Sequence, residues 1–146
     1  MRRVPTKTVD GIADVEVLAQ AATRPLVVIF DADNTLVPQG IPAGEFGQRV
    51  NAIIDRFERL STVERVIVLT NGPARGVDRI ESRGNKPWTS RRRLGLVDSK
   101  SDVWVVGDQI LTDGLLAWRL NATYLHGPIA ERGEHTRQAV MRTIGR

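Results

Sequence analysis

Four short segments carry the side chains with which this chain could do chemistry, and three of them directly follow apolar runs rich in β-branched residues. The first is Asp31-Ala32-Asp33-Asn34-Thr35-Leu36, after Leu26–Phe30. Two carboxylates two positions apart at the end of a buried strand are unfavourable unless something positive binds them. A hard divalent cation does so through oxygen ligands. A carboxylate poised beside such a cation can attack a phosphoryl group and become an aspartyl-phosphate. The second carboxylate can protonate the leaving oxygen and then activate water. The plainer alternative is an Asx-type turn that ends a strand.

The second segment is Val68-Leu69-Thr70-Asn71-Gly72. The Thr70 hydroxyl suits a phosphoryl oxygen, and backbone N–H groups at Asn71 and Gly72 can add to it. A helix N-cap followed by Pro73 in the first turn fits equally. The third is Lys86, in Gly84-Asn85-Lys86-Pro87, one of only three lysines with Lys7 and Lys100. It can neutralise a phosphate and orient the nucleophile, or it is a solvated loop lysine. The fourth is Val105-Val106-Gly107-Asp108-Gln109-Ile110-Leu111-Thr112-Asp113. Asp108 is placed to reach the cation. Asp113 either assists it or caps a helix whose dipole suits its charge.

Three strand ends and one loop thus supply, in chain order, a nucleophile, a phosphate-binding hydroxyl, a lysine and a metal-binding acid. No rival nucleophile presents itself. Cysteine is absent, which excludes a thiolate, a disulfide framework and a Cys-based metal site. His126 and His135 lie late in the chain with no evident acidic partner and read as surface histidines.

The elements that must position these residues follow from the alternation of short apolar runs with helical patterns. Leu26–Phe30, Val66–Leu69, Val103–Val106 and Ala122–Leu125 read as buried parallel strands. Val9–Ala21, Gly44–Leu60, Ala74–Arg83, Ser90–Leu96, Thr112–Leu120 and Glu131–Ile144 read as helices. This predicts an α/β fold, a three-layer α/β/α domain with a mainly parallel sheet. Ligands of such sheets bind beyond the carboxyl ends of the strands, where the polar residues concentrate. With 146 residues the chain is expected to form one domain, 1–146, with a core of its own. No repeat, linker, apolar leader or bilayer-length apolar run is evident, so the expectation is a soluble cytoplasmic protein. The formal charge is +4, with 21 basic against 17 acidic residues. If four of the acids gather in one site, the remaining surface is still more basic and favours anionic partners.

On these residues the chain resembles the haloacid dehalogenase (HAD) superfamily. Its four motifs match Asp31-Ala32-Asp33-Asn34-Thr35, Thr70-Asn71, Lys86 and Gly107-Asp108 through Asp113, and the resemblance covers nearly the whole chain. It implies a Rossmann-like sheet with the nucleophile strand central, Asp31 as nucleophile and Asp33 as acid/base. It implies Mg2+ held by Asp31, the Asp33 carbonyl and Asp108 with help from Asp113, and a phosphoryl group held by Thr70 and Lys86. The acid at Asp33 favours a phosphatase over a transport ATPase or a dehalogenase. Only a flap and one helix fit between Thr35 and Thr70, and 15 residues separate Thr70 from Lys86. That leaves no room for a cap domain, and capless members take large substrates or close their sites by oligomerising.

Within the capless class the chain resembles subfamily IIIA, the YqeG-type group related to phosphatidylglycerophosphate phosphatases. The matching residues are Asp33-Asn34-Thr35-Leu36-Val37, Asn85-Lys86-Pro87, Gly107 to Asp113, Arg119 and Gly127-Pro128. The stretch from Asn71 to Lys86 is shorter than is usual there, which leaves open the strand normally found in it. Ala117-Trp118-Arg119 replaces a Gly-Gly-Asn-Arg-like run.

The leading expectation is a Mg2+-dependent phosphomonoester hydrolase, with a lipid headgroup phosphate such as phosphatidylglycerophosphate as one substrate. Arg91-Arg92-Arg93 would give peripheral contact with an anionic membrane surface. Nucleic-acid ends and small phosphorylated metabolites are the alternatives with the same chemistry. Nucleic acid is less favoured, because no basic strand interleaved with aromatics is present to stack bases. A module that binds phosphate without turnover is the alternative of a different class. Trp88, Trp104 and Trp118 read as core or rim residues.

Overall fold

The computed structural model describes residues 3–31, 42–70, 80–83 and 89–127. In chain order the elements are β1 (Thr6–Thr8), α1 (Ile12–Gln20), β2 (Leu26–Asp31), α2 (Ala43–Glu58), β3 (Val63–Thr70), β4 (Ile80–Arg83), β5 (Asp102–Gly107), α3 (Ile110–Leu120) and β6 (Thr123–His126). The six strands form one sheet in the order β1-β6-β5-β2-β3-β4, and every adjacent pair is parallel. The α/β expectation holds: this is a Rossmann-like, three-layer domain with helices on both faces.

Side-chain alternation builds the layers. On β2, Val28 and Phe30 face one side with Val66, Val68, Trp104 and Val106 from the neighbouring strands. There they meet Ile12 and Val15 of α1 and Phe46, Val50, Ile54 and Phe57 of α2. The spacing of that α2 set puts it on one helix face. Phe30 and Phe57 pack edge to face, with ring centroids 5.0 Å apart. Val27 and Ile29 face the other side with Ile67, Leu69, Val103 and Val105, under Leu116, Ala117 and Leu120 of α3. Strands covered on both faces are apolar at every position, and all six residues of β2 are buried.

The chain leaves β2 for β3 on one side and β5 for β6 on the other. α2 and α3 lie on opposite faces. The topological switch therefore falls between β2 and β5, and ligands of such sheets bind beyond the carboxyl ends of the strands at this point.

Several boundaries differ from the sequence reading. Residues 80–83 lie in β4, where a helix over Ala74–Arg83 was expected. Its register against β3, Val68↔Ile80 and Thr70↔Arg83, supplies main-chain bonds that the polar sequence Ile80-Glu81-Ser82-Arg83 does not advertise. Ser90–Leu96 is a single turn, not a helix. Gly95 adopts φ +70°, and Leu96 N–H donates to the Arg91 carbonyl at 2.8 Å, which closes the turn as helices are closed. β1 was not anticipated, since its three residues are all exposed. α1 begins at Ile12 rather than Val9, because the Val9 N–H donates to the His126 carbonyl at 2.9 Å and continues the β1–β6 ladder. Trp104 is a core residue and Trp118 is partly exposed on α3. Trp88 and the helix expected over Glu131–Ile144 lie outside the described residues. Among the described residues no helix is long and apolar enough to cross a membrane.

Candidate active site

Asp31 is the last residue of β2, and Asp108 follows the last residue of β5. The two strands are parallel neighbours, with Phe30 opposite Val106, so both acids emerge at the carboxyl ends of the strands beside the topological switch. Asp113 arrives from the first turn of α3. Carboxylate oxygens of Asp31, Asp108 and Asp113 all lie within 4.8 Å of one another. Asp31 and Asp113 are buried and Asp108 is half-buried. Acids from the end of β2, the bend after β5 and the first turn of α3 thus lie close together.

The β5–α3 turn is shaped around Asp113. Its Oδ2 accepts the Gln109 N–H at 3.0 Å, and its own N–H donates to the Gln109 carbonyl at 2.8 Å. Gly107 leaves room for the carboxylate, since a Cβ there would lie 2.0 Å from Asp113 Oδ2. Asp113 thus organises the start of α3, and one of its carboxylate oxygens lies within 4.8 Å of those of Asp31 and Asp108.

A hard divalent cation fits this donor set. All three donors are carboxylates, and gathered negative charge is relieved by a cation. The field of the three acids registers on Tyr124, whose OH donates to the Gly107 carbonyl at 3.0 Å. The Tyr124 phenol is held well above its ordinary range, first by burial and then by the charges of Asp113, Asp108 and Asp31.

Thr70 ends β3 on the other flank of β2, one position beyond the partner of Asp31. Asp33, Asn71 and Lys86 lie outside the described residues. The Arg91-Arg92-Arg93 cluster lies at the opposite edge of the sheet. Arg91 Nε donates to the Leu120 carbonyl at 2.5 Å, at the far end of α3, while Arg92 and Arg93 are exposed.

Sequence reasoning missed Tyr124 and His126. His126 is half-buried, not a free surface histidine, and its Nε2 lies 3.1 Å from the Asp108 carbonyl. Their one visible signal is that they stand two positions apart at the end of a strand and so share a face.

No family model matches the chain, and no curated protein or solved structure matches it either.

Proposed function

We propose that this protein is a Mg2+-dependent phosphomonoester hydrolase that works through an aspartyl-phosphate on Asp31. The observation that carries the reading is the convergence of Asp31, Asp108 and Asp113 within 4.8 Å at the carboxyl ends of the two strands flanking the topological switch. The resemblance of the four motifs to haloacid dehalogenase phosphatases supports the same assignment and supplies the choice of Mg2+.

In this reading Asp31, Asp108 and Asp113 hold the cation, which when bound offsets charge on the phosphoryl oxygens. The Asp31 carboxylate attacks phosphorus. A bond forms from its oxygen as the bond to the leaving alkoxide breaks, and Asp33 donates a proton to that alkoxide. Asp33 then takes a proton from water, which attacks the same phosphorus, releases phosphate and restores Asp31. Thr70 and Asn71 bind phosphoryl oxygens and Lys86 balances their charge. A site without a cap domain, as the resemblance implies, suits a phosphate carried on a larger molecule, a phosphorylated lipid headgroup among them.

The test is phosphate release from p-nitrophenyl phosphate with Mg2+ and with excess chelator. Wild type turns over only with the metal, and Asp31→Asn loses at least about a thousandfold, as removal of a nucleophile does. Metal-independent turnover, or full activity in Asp31→Asn, overturns the reading.

A further inference from the structure

We infer that His126 is a positioning residue for the cation site, acting through the main chain of Asp108; this rests on the function proposed above. A metal ligand is only as well placed as the backbone that carries it, and outer partners that fix ligands contribute strongly to affinity. Asp108 lies in a bend between a strand and a helix, outside both hydrogen-bonding ladders. Three groups of β6 and its end hold that bend. The Tyr124 hydroxyl donates to the Gly107 carbonyl at 3.0 Å. The Gly127 N–H lies 3.3 Å from the same carbonyl. His126 Nε2 lies 3.1 Å from the Asp108 carbonyl.

A carbonyl oxygen can only accept, so the contact requires the proton on Nε2. The register Gly107↔His126 places the ring directly beside the bend, and the Tyr124 ring packs against it at a centroid distance of 5.6 Å. The His126 carbonyl is itself anchored by the Val9 N–H at 2.9 Å. The imidazole is thus a strut between the β1–β6 ladder and the main chain of Asp108, in the bend between β5 and α3. Of the three carboxylates, Asp31 lies in β2 and Asp113 in α3; His126 contributes to holding the main chain of the third.

The experiment measures Mg2+ affinity by isothermal titration calorimetry on the full chain, beside the thermal midpoint of the metal-free protein. His126→Phe fills the ring space without a donor, and His126→Gln restores a donor. We expect His126→Phe to weaken Mg2+ about tenfold and His126→Gln to bind within a few-fold of wild type. In turnover, the Mg2+ activation constant rises for His126→Phe while kcat at saturating Mg2+ is largely kept. His126→Met, also without a donor, takes its place if the phenylalanine variant does not fold. Wild-type Mg2+ affinity in the variants without a donor overturns the inference and leaves the proposed function standing. A glutamine variant no tighter than phenylalanine also overturns it, because loss of packing would then explain the change. Wild type and Asp108→Asn that both fail to bind Mg2+ overturn the proposed function and the inference together.

Discussion

Gly107 and Asp113 share one volume: a Cβ on Gly107 would lie 2.0 Å from Asp113 Oδ2 and 2.4 Å from its Cγ. The last residue of β5 lacks a side chain so that an acid six positions later can fold back over it. Asp113 is completely buried, so its carboxylate has little room to give way. Gly107→Ala therefore either displaces the carboxylate or shifts the strand end. The expected destabilisation is about 1–3 kcal/mol, as for overpacked sites, read as a lower midpoint in urea. On the proposed function the displaced group holds the cation, so Mg2+ binding should also be weakened. An alanine variant that binds Mg2+ like wild type would show that Asp113 is a helix-organising residue only.

Cation binding should be visible without turnover. A ligand that binds only the folded state stabilises it by about 2.7 kcal/mol at a hundredfold excess over its dissociation constant. Mg2+ is thus expected to raise the melting temperature of wild type by several degrees. Asp108→Asn keeps the shape of the half-buried side chain and loses its charge, and its melting temperature should not respond to Mg2+. A response equal to that of wild type would remove Asp108 from the ligand set.

The parts of this protein that were legible in its sequence are those where a residue's neighbours are dictated by burial. β2 and β5 announced themselves because strands covered on both faces admit few polar residues, and Asp31 and Asp108 stood out because each breaks such a run. β1 and β4 were silent. Each is an edge strand of three or four mostly polar residues, held through main-chain pairing on one side. The turn at Arg91–Gly95 misled because its arginines and leucine are good helix formers, whereas Gly95 at φ +70° closes it after a single turn. Tyr124 and His126 were beyond reach because each grips a main-chain oxygen 17 or 18 positions away. Only the parallel register of β5 with β6 brings those atoms together.

Arg91 offers a test that separates fold from function. Its guanidinium is bonded to the Leu120 carbonyl at 2.5 Å and lies 3.4 Å from the Asn121 carbonyl, and positive charge suits the end of α3. Arg91→Ala strands a part-buried carbonyl and should cost about 1–3 kcal/mol, measured by chemical denaturation. Because the contact lies at the sheet edge opposite the carboxylates, kcat and KM for p-nitrophenyl phosphate should be unchanged while the protein remains folded. A change in kcat with little loss of stability would tie the arginine turn to the site.

Tyr124 is the only tyrosine in the chain, so phenolate absorbance reports on it alone. Burial opposes the charged phenolate, and Asp113, Asp108 and Asp31 oppose it further, so its folded value lies above the ordinary 10.0. The folded protein then holds this proton more tightly than the unfolded chain does. The resulting stability is fully present below pH 10.0, the unfolded value, and declines as pH rises from there toward the folded value. In metal-free protein, phenolate absorbance should stay low through the ordinary tyrosine range and appear only at more alkaline pH, together with loss of structure. Tyr124→Phe should flatten that alkaline decline and lose about 1 kcal/mol at neutral pH for the missing bond to the Gly107 carbonyl. Asp113→Asn removes the largest of the three opposing charges and should move the titration back toward its ordinary position. A folded protein whose tyrosine titrates at the ordinary value would show that burial does not hold this phenol, and an Asp113→Asn titration identical to that of wild type would show that the carboxylate beside it does not act on the ring.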